Sequence, residues 1–94
     1  MGQRIAVHLI IKGRVQGVGF RWWAQGQARA LDLDGWVANL RDGTVELVAG
    51  GPRDAVERLV AACHYGPPAA AVESVEQSAV QDERFAGFEE RPTA

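Results

Sequence analysis

Three glycines within seven residues, Gly13, Gly17 and Gly19, stand where the apolar rhythm of the chain changes. Before them, Arg4 to Lys12 alternates, with Ile5, Val7, Leu9 and Ile11 on one face and Ala6, His8, Ile10 and Lys12 on the other. That is the period of a strand with one strongly buried face. After them, Trp23, Ala24, Gln27, Ala28 and Leu31 share one helical stripe, with Gln25 and Arg29 outside it. A helix is predicted over about Phe20–Leu31. A strand that stops, turns and restarts as a helix in so short a span forces that helix back onto the strand's own sheet.

The remaining pattern repeats the theme. Gly35–Leu40 reads as a strand, Arg41-Asp42-Gly43 as a tight turn, and Thr44–Ala49 as the hairpin partner. Gly50-Gly51-Pro52 ends that strand, and Pro52 suits the first turn of a second helix. Val56, Leu59, Val60 and Cys63 form its apolar stripe, and Gly66-Pro67-Pro68 stops it. Val72–Val80 is a fourth, more polar strand, which leaves room for a short fifth at an edge over Phe85–Glu90. The order β-α-β-β-α-β with right-handed crossovers predicts an α+β, ferredoxin-like sandwich: an antiparallel sheet with two helices on one face. With 94 residues there is room for one domain, residues 1–94, and Pro92-Thr93-Ala94 is expected to be a frayed end.

Charge and cysteine usage narrow the function classes. The formal net charge is −2, and nine of the ten basic residues are arginines scattered without a run. A general nucleic-acid binder would carry a basic excess, so no nucleic-acid partner is expected, and any anion site must be local. Cys63 is alone, which fits a reducing compartment, and Ile5–Ile11 is far too short for a membrane span. Met1-Gly2-Gln3 resembles a myristoylation start, but Ala6 occupies the place of the Ser or Thr such a signal wants. A cytoplasmic monomer, complete from Met1 to its polar tail and without membrane contact, is expected.

The glycine loop has a chemistry of its own. Glycines let backbone amides converge on a ligand, and the loop feeds a helix N-terminus, where free N–H groups and the macrodipole favour negative charge. Arg21 stands at that junction, normally a poor place for a cation, and offers a planar fork of donors suited to phosphate. Asn39, read alone, caps the turn before Asp42-Gly43. His8 is expected to be an outward strand residue, and His64 a helix-end residue. Nothing places a carboxylate or nucleophile beside either. Cys63 and Trp23 belong to core stripes; Trp22 could stack on an aromatic group or simply lie at the surface.

The run Gly13-Arg14-Val15-Gln16-Gly17-Val18-Gly19-Phe20-Arg21 resembles the first signature of the acylphosphatase family, G-x-V-x-G-V-x-F-R, at every defined position. Gly35-Trp36-Val37-Ala38-Asn39, then Gly43-Thr44-Val45 and Gly50, resemble the second, and Gly66-Pro67 with Val72 and Val75 resemble its later part. The resemblance implies a cofactor-free, metal-free hydrolase of small-molecule acyl phosphates that releases a carboxylate and inorganic phosphate. It implies that loop amides from Val15, Gln16, Gly17, Val18, Gly19 and Phe20 cradle the phosphoryl oxygens. Arg21 would bind the phosphate, and Asn39 would position the attacking water.

The lack of a GK[ST] phosphate loop, a metal-ligand cluster or a reactive-cysteine context agrees with a substrate whose leaving group needs no acid. Asp32 stands where the family's Leu-Gly-Leu turn has glycine, which predicts a slightly less stable helix cap and no change of fold. The C-terminus lacks the terminal aromatic many members carry, which bears on last-strand packing and not on the site. The alternatives are a non-catalytic anion- or RNA-binding ferredoxin-like module, and a domain handling carbamoyl phosphate in larger carbamoyl-transfer proteins.

Overall fold

The computed structural model describes residues 3–93, so the Met1-Gly2 start and Ala94 lie outside the described residues. The elements are β1 (Arg4–Arg14), α1 (Phe20–Ala30), β2 (Asp34–Asn39), β3 (Val45–Pro52), α2 (Arg53–Cys63), β4 (Ala71–Ala79) and β5 (Phe88–Arg91). They build one sheet in the order β4-β1-β3-β2-β5, the split βαβ arrangement in which β3 slots between β1 and β2. Among the described residues, no helix is long and apolar enough to cross a membrane.

The alternation in β1 does what its period requires. Val7, Leu9 and Ile11 are buried beneath the helices, while His8 and Ile10 lie half-buried on the other face. Leu47 and Ala49 of β3, Val37 of β2, Ala24 and Ala28 of α1, and Val56, Leu59 and Cys63 of α2 complete the core. Cys63 is fully buried, and burial pushes its thiol up to about 12, so it is a packing residue. Trp23, expected in the core stripe, is only half-buried; it packs edge-to-face on Phe20, ring centroids 5.2 Å apart.

Most element ends shift by one to three residues, the fifth strand running over Phe88–Arg91 rather than Phe85–Glu90. Two boundaries and one strand direction differ for a physical reason. β1 runs two residues past Lys12, because Gly13 stays in the strand at a register shift against β4 rather than ending it. There, a Cβ would collide with the Ala71 carbonyl. Pro52 closes β3, paired with Arg4, and is the N-cap of α2 rather than part of its first turn. The sheet is not wholly antiparallel: β5 lies parallel to β2, with Gly35 opposite Phe88 and Ala38 opposite Arg91.

The chain's path explains that last direction. β4 and β5 occupy opposite edges, four strand spacings or roughly 19 Å apart, and residues 80–87 can span about 26–29 Å when extended. The connection crosses the end of the sheet where β4 finishes and β2 begins, so the new strand can only run alongside β2 in the same sense. Arg4 holds the crossing down, donating from Nε to Asp82 at 2.8 Å and from Nη2 to Asp34 at 2.9 Å. The guanidinium keeps the Asp82 carboxyl below its usual range. Gly50 lies beneath, where a Cβ would stand about 3 Å from the Asp34 and Asp82 carboxylates. β5 is anchored by buried Phe88, and Arg91 stacks 4.7 Å over the Trp36 ring.

Asp32 behaves as its position predicts. It is exposed and left-handed (φ 56°), and it follows Leu31, the C-cap of α1. The Leu33 amide donates to Ala28 at 2.9 Å and the Asp32 amide to Arg29 at 3.1 Å, the bond pair of a Schellman cap. Asp32→Gly removes the left-handed penalty and is expected to stabilise by about 1 kcal/mol, raising Tm by about 4–8 °C in a thermal melt.

Candidate functional site

The glycine loop is fixed from below and open above. Val15 and Phe20 are buried at its two ends and Val18 packs on the core between them, while Gly17 and Gly19 are exposed. Both glycines are left-handed, with φ of 73° and 78°. The loop thus turns its apolar side chains down and its backbone toward solvent. Gly19 is the N-cap of α1, with no side-chain cap and no acidic residue in the first turn. The first ladder bond runs from the Trp23 amide to the Gly19 carbonyl at 2.9 Å, so the amides of Phe20, Arg21 and Trp22 precede the helical ladder. A helix N-terminus without a protein cap is prepared for an outside anion.

Gln16 ties the loop to its neighbour through its side chain. Its side-chain nitrogen donates to the Leu40 carbonyl at 2.7 Å and to the Thr44 carbonyl at 2.9 Å, bolting the loop to the β2–β3 turn. The signature leaves this position undefined, and both partners are more than twenty residues away, so no local pattern could announce the contact. Gln16→Ala removes both bonds, and an unfolding titration is expected to find about 1–3 kcal/mol of stability lost.

Arg21, in the first turn of α1, is held by β5. Its Nη1 donates to the Arg91 carbonyl at 2.9 Å, and its Nε lies 3.7 Å from a Glu90 carboxylate oxygen. These contacts offset the cost of a cation at a helix N-terminus and aim the guanidinium. Asn39 is the last residue of β2, paired with Val45 and half-buried. It does not cap the following turn. Asp42 does, accepting from the Thr44 amide at 3.0 Å and the Thr44 hydroxyl at 2.6 Å, which hold its carboxyl below the usual range.

Arg21 and Asn39 meet in one cleft of about 150 Å³, which Val15, Gly17, Gly19, Phe20, Trp22 and Glu90 also line. Of the loop residues singled out in the sequence, Val15, Gly17, Gly19 and Phe20 line this cleft, and Gln16 and Val18 do not. Glu90 and the Arg91 carbonyl are additions that only the fold reveals. A more open cleft of about 560 Å³ lies at the opposite end of the sheet, between the C-terminus of α1 and Phe85–Glu89. Asp32, Asp34 and Glu89 line it, and its Arg29 already donates to the Phe88 carbonyl at 3.1 Å, so it is poorly suited to an anion. Among the described residues, no group of three or more His, Cys, Asp or Glu side chains is arranged to hold a metal ion.

The histidines stand apart from the cleft. His64 is exposed at the C-cap of α2. His8 does have a carboxylate neighbour, contrary to the sequence reading: Glu46 lies 2.7 Å from its Nε2. The β1–β3 register sets Ile10 opposite Glu46 and His8 opposite Val48, so the pair is a diagonal cross-strand contact on the sheet face away from the helices.

Comparisons with known proteins converge on one family. The acylphosphatase family model matches residues 7–90. An acylphosphatase from Natronomonas pharaonis is 50% identical over 91 residues, covering 97% of this chain and 99% of that protein. The structure of an acylphosphatase from Coxiella burnetii superposes with a TM-score of 0.91 at 41% identity, over 94% of this chain and 93% of that one. The acylphosphatase from Bacillus subtilis gives 0.89 at 36% identity, over 93% and 98%. An uncapped helix N-terminus, an arginine aimed by the last strand and near-complete matches to these proteins lead to one conclusion: the chain belongs to the acylphosphatase family and is an enzyme that hydrolyses acyl phosphates.

Proposed function

We propose that Asn39 positions a water for in-line attack on a phosphoryl group held by Arg21 and the backbone amides of Val15, Gln16, Gly17, Val18, Gly19 and Phe20. The observation that supports this is the shared cleft: an uncapped helix N-terminus, a guanidinium and a side-chain amide border one small concavity. The water oxygen bonds to phosphorus as the bond from phosphorus to the acyl oxygen breaks, its electrons leaving with the carboxylate. A non-bridging phosphoryl oxygen takes the water's proton. A carboxylate leaves without help from an acid, so the protein's task reduces to positioning and charge stabilisation. Arg21 and the loop amides supply the charge complement; Asn39 supplies the alignment.

The partners of this site are a small-molecule acyl phosphate and inorganic phosphate. Purified protein with EDTA present is expected to hydrolyse benzoyl phosphate, with inorganic phosphate as a competitive inhibitor. In water enriched in oxygen-18, the label is expected in the phosphate product. No turnover, or label in benzoate, would overturn the mechanism.

A further inference from the structure

Two side chains line the cleft without touching the phosphate or the water in the proposed arrangement: Trp22, and Glu90, which reaches Arg21. Trp22 is 75% exposed, off the buried stripe of Phe20, Ala24 and Ala28. The other large hydrophobics exposed among the described residues, Tyr65 and Val80, border neither cleft. Single exposed aromatics are ordinary on a protein surface. One that forms a wall of the catalytic cleft, next in sequence to the phosphate-binding arginine, is placed to meet a substrate.

In-line displacement sends the acyl group away from the attacking water. Val15 and Phe20 are buried in the core, Gly17 and Gly19 offer only backbone, and Arg21 and Asn39 are committed. Trp22 and Glu90 remain. An indole face favours a flat, polarisable group over a small aliphatic one. The Glu90 carboxylate, 3.7 Å from the Arg21 Nε, is balanced by that guanidinium only until a phosphate claims it. Thereafter it opposes any further negative charge on the acyl group.

We propose that Trp22 and Glu90 form an acyl-group subsite selecting flat aromatic acyl groups that carry no negative charge of their own. This rests on the phosphate orientation given under Proposed function. The test compares kcat/KM for benzoyl, acetyl and 4-carboxybenzoyl phosphate in the parent and in variants, so that intrinsic differences between substrates cancel. Trp22→Ala is expected to lower the benzoyl-to-acetyl ratio about three- to tenfold, the size of an aromatic contact, and Trp22→Phe to keep most of it. Glu90→Gln is expected to lower the benzoyl-to-4-carboxybenzoyl ratio about threefold. If all three substrates turn over but the ratios in Trp22→Ala and Glu90→Gln equal the parent's, the subsite is overturned and the mechanism stands. If the parent hydrolyses none of the three, both fall.

Discussion

Arg21→Ala is expected to lower kcat/KM for an acyl phosphate by at least about 10³-fold and to abolish binding of inorganic phosphate. The size follows from what the cleft keeps. With the guanidinium gone, the uncapped N-terminus of α1 remains, but Glu90 no longer has its partner 3.7 Å away. The charged side chains lining the cleft then change from one of each sign to a lone carboxylate. The fold should survive, because Arg21 is half-exposed and Phe20, which anchors this end of the loop, is untouched. Arg21→Lys separates charge from geometry. A lysine restores the positive charge, but a single ammonium lacks the rigid fork that can hold the Arg91 carbonyl and a phosphate together. It is expected to recover only part of the loss in steady-state assays. Full activity in Arg21→Lys would mean that charge alone suffices and that the contact with β5 is incidental.

Asn39→Ala is expected to lower kcat by about 10²–10³-fold with little change in phosphate affinity. A misplaced nucleophile costs rate without costing ground-state binding, so the loss should sit in kcat rather than KM. The pairing of Asn39 with Val45 uses main-chain groups, and Asp42 caps the turn, so neither the register of β2 nor the hairpin depends on the amide side chain. Thermal melts of parent and variant should therefore nearly coincide. A large stability loss in Asn39→Ala would mean that its side chain supports the fold rather than the reaction.

How much of this was legible in the sequence varies with the range of the interaction. The change of period at Gly13–Gly19 located β1, the loop and α1, because strand and helix periods are local properties. The left-handed cap at Asp32 (φ 56°) was legible through the family's Leu-Gly-Leu turn and not through the period. Gly13 misled by one strand end, since a glycine in a bulge and a glycine in a turn read alike. The parallel direction of β5 was not legible. It depends on where the crossover from β4 lands, and that crossing is set by the ties from Arg4 to Asp34 and Asp82. The site divides in the same way. The three glycines before a helix, with Arg21 at the junction, could be read as a candidate anion loop. The supports of Arg21 lie about seventy residues away, at Glu90 and the Arg91 carbonyl, and the Gln16 bolt joins two loops. Asn39 lies between these cases. Local pattern alone made it a turn cap, and only the family signature gave it chemistry; the fold then brought it to the cleft that Arg21 lines.

In the proposed division of labour, the loop and Arg21 bind the phosphate and Asn39 aligns the water. Its most direct test is the dissociation constant of inorganic phosphate for Asn39→Ala, read from a 31P NMR titration of a variant whose kcat has fallen by at least about 100-fold. A value within about twofold of the parent's is expected, since the proposed binding groups are intact. Loss of phosphate binding in step with turnover would contradict it and make Asn39 part of the anion cradle.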